Sequence, residues 1–189
     1  MENGCPISFV KNLHEGRMGE VTRGYWAAVV CNADFICVDT WSGYRGGTDR
    51  DPKGKQHLLS SDACDLALGE AVLDALAHSR WVLPAPREGV TFPEGVEFDM
   101  AVCDFKVNYP ACVNALMEIC GYKNKRALFK NMKRVSLESK NGVLTLTPWH
   151  HAKLEAWDGV GDEATVVIPA TSTPEEIGAA LRLALSRCT

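Results

Sequence analysis

RVSLESKNGVLTLT, residues 134–147, is the stretch that decides the fold. Apolar and polar residues alternate in it on either side of the pair Asn141 and Gly142. Such alternation is typical of strands with one buried face, and Asn-Gly readily takes the positive φ angles of a type I′ turn. The stretch therefore predicts an antiparallel hairpin with strands at 134–139 and 143–147.

Similar strand signals occur on both sides of this hairpin. β-branched and aromatic residues bounded by turn formers predict a second hairpin, with strands at 24–30 and 35–40. Further strands are predicted at 95–105 and 165–170. Residues 7–13 fit either a short strand or a helical turn.

Three segments have apolar residues at three- and four-residue spacing, and we predict helices there. They are residues 61–80, 109–121 and 171–187. Ser61 or Asp62 can cap the first helix, and Pro110 stands at the predicted start of the second. Together these elements predict an α/β (α+β) fold, in which helices pack on an antiparallel, hairpin-rich sheet.

The two halves of the chain resemble each other in the order of short motifs. The similar pairs are FVKNL (9–13) with LFKNM (128–132), TWSG (40–43) with AWDG (156–159), and LGEAVLDAL (68–76) with IGAALRLAL (177–185). We interpret residues 1–189 as one domain with an internal duplication of a β-hairpin-plus-helix unit, in pseudo-repeats at about 7–80 and 126–188. The alternative is a single domain without a repeat, since any α/β chain can give such similarities.

The composition is that of an ordinary globular chain. Of 189 residues 46% are hydrophobic and 23% are charged, and the net charge of −4 argues against nucleic acid as the main partner. The apolar runs are too short for a membrane span, and the N-terminus MENGCPISFVKN lacks the regions of a signal peptide. A cytoplasmic protein is therefore expected. The eight cysteines form no CxxC pair, which favours small buried thiols over a disulfide framework.

The polar loop at residues 40–57, TWSGYRGGTDRDPKGKQH, has the glycines and charges of a ligand loop but matches no ligand motif. A phosphate loop would need a glycine in place of Asp49 and a hydroxyl residue in place of Gln56. A calcium loop beginning at Asp49 would place Lys53 where an oxygen ligand belongs. The loop is therefore either a solvated turn whose charges pair with one another or a rim for protein recognition.

The only histidine cluster, HHAKLE at 150–155, gives a weak site signal. His151 and Glu155 would share one face of a helix, at the spacing of zinc ligands, but no third ligand is near. Nucleophile motifs such as GxSxG are missing from the sequence. We therefore predict no catalytic, cofactor-binding or metal-binding residue. Two alternatives stay open: a small enzyme with an unrecognised site near His150 and His151, and a nucleic-acid-binding domain that uses the basic stretch 123–134.

Several longer stretches, taken together, resemble the immunity proteins of bacterial contact-dependent growth inhibition (CDI) systems. These stretches are DTWSGYRGGTDRDPKGKQHLL (39–59), LGEAVLDALAHSR (68–80), LFKNM (128–132), HHAKLEAW (150–157) and PEEIGAALRLALSRC (174–188). The resemblance implies a cytoplasmic, non-enzymatic protein that binds the C-terminal toxin domain of its cognate delivered effector. Such a protein neutralises the toxin, commonly a nuclease, by blocking or distorting its active site, without a cofactor, a metal, a membrane or direct contact with nucleic acid.

The resemblance transfers no interface residues, so these are predicted from charge. A nuclease holds its substrate in a positively charged channel, and an inhibitor that presents carboxylates and aromatic anchors would complement that channel. The candidate residues at the toxin interface are Asp158, Asp162, Glu163, Trp157, Asp49 and Asp51. We expect Asp158, Asp162 and Glu163 to contribute more than the loop at 49–55.

Overall fold

The computed structural model describes residues 22–189. The strands are β1 (Tyr25–Cys31), β2 (Phe35–Tyr44), β3 (Gly47–Arg50), β4 (Gln56–Ser60), β5 (Val82–Leu83), β6 (Glu97–Phe98), β7 (Lys133–Lys140), β8 (Val143–Lys153), β9 (Ala156–Gly159) and β10 (Val166–Pro169). The helices are α1 (Asp65–Ala77), α2 (Met100–Cys103), α3 (Phe105–Ile119), α4 (Lys125–Leu128) and α5 (Pro174–Ser186), with a 3-10 turn at Asp162–Ala164. The predicted element at 7–13 lies outside the described residues.

The main sheet is antiparallel, and both predicted hairpins form its centre. Its strand order is β10-β8-β7-β1-β2-β3, while β4 also pairs with β2 and β9 also pairs with β8. In the turn between β7 and β8, Asn141 has φ 52° and Gly142 has φ 78°, which are the positive angles that the sequence predicted. The antiparallel α+β fold is confirmed.

Helices α1 and α5 pack together on one face of the sheet and close the larger core. A Cβ added at Gly69 would lie 1.8 Å from the backbone oxygen of Pro174, and one added at Gly178 would lie 2.0 Å from that of Asp65. The absence of a side chain at each glycine therefore allows the first turn of the other helix to lie directly against it. Thr173 and Glu176 form a capping box at the start of α5, which fixes where that helix begins.

Each half of the chain contributes two strands to the centre of the sheet and one helix to the pair that packs on it. β1, β2 and α1 come from the first half, β7, β8 and α5 from the second, and β1 pairs with β7 between them. The internal duplication stays a prediction, which this arrangement supports. However, residues 40–43 lie inside β2 whereas 156–159 form the separate strand β9, so these two short motifs do not occupy matching strands.

Helix α3 packs on the opposite face of the sheet. Strand β2 alternates, so that Ile36 and Val38 enter the core beneath α1 and α5, while Phe35 and Cys37 face α3. A strand buried on both faces reads as a continuous apolar run, which explains the FICV sequence of β2. The second face is only partly filled by α3, and this leaves a cavity.

The predicted strand at 95–105 is wrong except at Glu97–Phe98. The side chain of Asp99 accepts a hydrogen bond from the N–H of Ala101, and that of Asp104 accepts one from Val107. These two aspartates cap α2 and α3, so local capping overrides the partial alternation. The helix predicted at 109–121 consequently begins at Phe105.

Candidate functional site

The loop at residues 49–55 is held by ion pairs with distant parts of the chain. Arg80 contacts Asp51 through Nε at 2.7 Å and through Nη2 at 2.9 Å, and the Ser42 hydroxyl donates to the same carboxylate at 2.7 Å. Burial alone would raise the pKa of Asp51, but these hydrogen bonds outweigh burial and hold that pKa below its usual value.

Two sequence expectations for this loop are therefore wrong. Asp51 is 2% exposed, so it cannot contact a partner protein and is withdrawn from the candidate interface. The interpretation as a turn whose charges pair with one another is also wrong, because Arg50, Asp51 and Lys53 each pair with a residue outside 49–55. Arg50 contacts Asp39 at 2.9 Å and Lys53 contacts Asp99 at 2.7 Å.

A cavity of about 330 Å³ lies between the sheet and α3. Rings from four parts of the chain line it: Trp41 on β2, Phe105 and Tyr109 on α3, Phe129 at the end of α4, and Trp157 on β9. Asp49 also lines the cavity, so two of the predicted interface residues, Asp49 and Trp157, meet at one site. A mostly apolar cavity of this size with a few polar groups has the character of a binding site.

Arg134 on β7 is the most unusual residue of this cavity. Its guanidinium carbon lies 4.9 Å from the ring centre of Trp41 and 5.5 Å from that of Trp149. Burial lowers the pKa of Arg134, while Tyr109 and Asp49 oppose that shift. Its Nε is buried without a hydrogen-bond partner among the described residues. Sequence reasoning missed this position, because it counted Arg134 in the basic stretch 123–134.

The hairpin formed by the end of β8 and by β9, residues 149–159, borders the cavity, and we call it the β8–β9 arm. Tyr109 donates a hydrogen bond to Glu155 at 2.8 Å, and Lys125 contacts the same carboxylate at 2.9 Å. The hydrogen bond from Lys125 is the main reason why the pKa of Glu155 lies below its usual value. On the arm, the Trp157 ring stacks on His151 with 4.4 Å between ring centres.

The remaining acidic candidates lie on the surface near this arm. Asp158 follows Trp157 in β9 and is exposed, so the pair alternates between cavity and solvent. Asp162 and Glu163 are exposed in the 3-10 turn that follows. Their accessible side chains are compatible with an interface role.

Sequence reasoning missed three exposed apolar residues on α2 and α3. Met100 is 61% exposed, Phe105 57% and Val107 62%. Phe105 also lines the cavity and stacks on Tyr109 with 5.1 Å between ring centres. Exposed apolar residues that adjoin a cavity are typical of a protein-binding surface. Because residues 95–105 were predicted as a strand, the placement of Met100 and Phe105 on helices was not expected from the sequence.

The two alternatives from the sequence find little support in the structure. His150 contacts Thr189 at 2.9 Å and His151 contacts the carbonyl of Leu154 at 3.1 Å, and neither histidine lines the cavity. The basic stretch 123–134 does not form one face, since Lys125 pairs with Glu155 and Arg134 turns into the cavity.

Within residues 22–189 there is no group of three or more His, Cys, Asp or Glu residues that could hold a metal ion. The described cysteines are free thiols; Cys31 and Cys37 are buried as predicted, whereas Cys64 is exposed. Over the same range, every helix falls short of the length and apolar content that a membrane crossing requires.

Comparisons with known proteins agree with the resemblance found in the sequence. Residues 25–188 match the family model described as CDI immunity protein. The immunity protein CdiI-YPIII of Yersinia pseudotuberculosis serotype O:3 (strain YPIII) is 48% identical over 176 residues, which cover 90% of this chain and 99% of that protein.

Solved structures give the same result. A chain of the CdiA-CT/CdiI toxin and immunity complex from Yersinia pseudotuberculosis superposes with a TM-score of 0.85 at 48% identity, covering 90% of this chain and all 100% of that one. The protein of unknown function NMB0488 from Neisseria meningitidis superposes with a TM-score of 0.76 at 38% identity, covering 90% of this chain and 98% of its own. The chain described here belongs to the family of CDI immunity proteins.

Proposed function

We propose that this protein binds the C-terminal toxin domain of its cognate CDI effector in the cytoplasm and neutralises it by binding, without catalysis. The observation on which this rests is the match over nearly the whole length of a CdiI chain whose solved structure is a toxin and immunity complex. At 48% identity over 90% of the chain, a shared mode of action is the simplest expectation.

The cavity mouth and its surroundings are the surface that we propose for toxin binding. Phe105 and Trp157 supply aromatic side chains at the cavity, and Met100 on α2 is a further exposed apolar side chain. Aromatic residues in such positions commonly dominate the energy of protein interfaces. Asp49 lies in the same cavity, whereas Asp158 lies beside it on the β8–β9 arm.

The acidic residues add an electrostatic component to this proposal. If the toxin is a nuclease, its substrate channel is basic, and the exposed carboxylates of Asp158, Asp162 and Glu163 would speed association and favour the right partner. Rim charges of this kind act mainly on the association rate and are weakened by salt.

A protection assay tests the proposed function. The toxin domain encoded next to this protein is induced in cells with and without the protein, and growth is followed. We expect growth arrest by the toxin alone and normal growth when the protein is co-expressed. Arrest in spite of well-folded, abundant protein would refute the proposal for this pair.

A further inference from the structure

The charges in the cavity are not all matched by one another. Asp39 is paired with Arg50 at 2.9 Å, and Glu155 at the rim is paired with Lys125 at 2.9 Å. Among the charged groups that line the cavity, this leaves Asp49 and Arg134. No ion pair joins these two residues, although they are close enough to influence each other's pKa.

Arg134 is the better placed of the two to bind a ligand. Trp41 and Trp149 hold its planar group by cation–π contacts, so the guanidinium is oriented before any ligand arrives. Its Nε–H has no acceptor among the described residues. Nε itself is closed off from solvent, so a ligand in the cavity would meet the two terminal Nη groups, which are not buried and make no hydrogen bond within residues 22–189.

The chemistry of the cavity restricts what this acceptor can be. Guanidinium groups bind carboxylates and phosphates through two parallel N–H donors. Among the described residues, Arg134 is the one cation of the cavity without an ion pair, and Asp49 lines the same cavity. A dianionic phosphate would therefore be repelled by Asp49 more strongly than a single carboxylate would be. Phe105, Tyr109 and Trp157 provide apolar surface for the body of the ligand.

We propose that this cavity is a binding site for a carboxylate on an apolar body, with Arg134 as the anchor of the carboxylate. The carboxylate has two chemical sources, a free small molecule or a side chain of the bound partner protein. The second source rests on the proposed function, whereas the first is independent of it.

The first arm of the test uses phenylacetate as a free carboxylate and phenylacetamide as its uncharged counterpart. Binding to the full chain is followed by calorimetry and by tryptophan fluorescence, to which Trp41, Trp149 and Trp157 contribute. If the small molecule is the source, phenylacetate binds saturably, phenylacetamide at least tenfold more weakly, and Arg134→Gln lowers phenylacetate affinity at least tenfold.

Three further variants make this arm specific. Arg134→Lys keeps the charge between the indoles but loses the planar fork, so an intermediate affinity is expected. Asp49→Asn removes the competing negative charge and is expected to tighten phenylacetate binding several-fold. Arg126→Gln makes the same change of net charge at an exposed site on α4, and its affinity should equal that of the wild type.

The second arm measures toxin-domain affinity for the wild type, Arg134→Gln and Arg126→Gln. If phenylacetate does not bind but Arg134→Gln weakens toxin binding at least tenfold while Arg126→Gln does not, the carboxylate belongs to the partner and the inference stands. If Arg134→Gln and the wild type have the same affinity for phenylacetate and also the same affinity for the toxin domain, the inference is overturned.

Two other results are decisive as well. Binding of phenylacetate through Arg134 together with no toxin binding would refute the proposed function and leave this inference intact. If circular dichroism shows that Arg134→Gln does not fold, Asp49→Asn decides in its place, because unchanged affinity for both ligands would overturn the inference.

Discussion

At the scale of single residues, Asp51 gives the glycine-rich, charged loop a structural role that needs no ligand. Its carboxylate accepts hydrogen bonds from Arg80, Ser42 and the N–H of Lys53, while Arg80 also contacts Glu97 at 2.8 Å. The loop is therefore a clamp that joins β2 and β3 to the chain that follows α1.

Asp51→Asn should destabilise the protein by about 3 kcal/mol, because it leaves a half-buried arginine without its closest counter-charge. Denaturant unfolding measures the change. Asp158→Asn, the same substitution at an exposed carboxylate, should change stability by less than about 0.5 kcal/mol. Equal effects of the two substitutions would contradict the clamp.

This stabilisation also has a defined pH dependence. The folded-state pKa of Asp51 lies below its ordinary value of 3.8, so the unfolded chain binds the proton more readily. The contribution is complete well above pH 3.8 and is lost as the pH falls from there through the folded-state pKa. Unfolding curves of wild type and Asp51→Asn should therefore converge on acidification; a constant gap down to pH 2 would contradict this assignment.

At the scale of elements, the crossing of α1 and α5 is set by Gly69 and Gly178. Gly178→Ala and Gly69→Ala should each destabilise the protein by about 2 kcal/mol or more, since each new Cβ meets a backbone oxygen that cannot move alone. Thermal unfolding is the measurement. Gly46→Ala, where nothing lies within 4 Å, is the matched control and should be nearly neutral.

The β8–β9 arm contacts α3 and α4 through one carboxylate, that of Glu155. Glu155→Gln weakens its contacts to Tyr109 and Lys125, so the arm should open more often while global stability falls by only about 1 kcal/mol. Hydrogen exchange should rise in residues 149–159 and stay unchanged in β1. Glu94→Gln, at an exposed position, should leave exchange in the arm as it is; unchanged exchange in Glu155→Gln would show that other contacts hold the arm.

Elements with strong local signals were predicted well, and those that depend on distant contacts were not. The β7–β8 hairpin follows from Asn141 and Gly142, and α5 from its periodic apolar face. By contrast, β3 pairs with β2 in a polar loop whose course depends on Arg80 far along the chain. The cavity could not be predicted, because Arg134 and Trp41 meet only when β7 and β2 flank β1.

At the scale of the whole molecule, the sheet carries the helix pair α1 and α5 on one face and the cavity on the other, and Asp158 lies on the β8–β9 arm that borders the cavity. This placement leaves the cavity mouth and the β8–β9 arm free to meet a partner. We expect the triple variant with Asp158, Asp162 and Glu163 changed to alanine to lose more toxin affinity than Asp49→Ala, with the larger difference at low salt. Unchanged affinity of the triple variant, measured by calorimetry, would exclude these three residues from the interface.

The most direct test of the whole account is a calorimetric titration of the tagged, full-length protein with its cognate toxin domain, followed by an assay of the toxin in the same mixture. We predict one-to-one binding with nanomolar affinity and loss of toxin activity at equimolar protein. A well-folded protein that does not bind, or that binds and leaves the toxin fully active, would contradict the account.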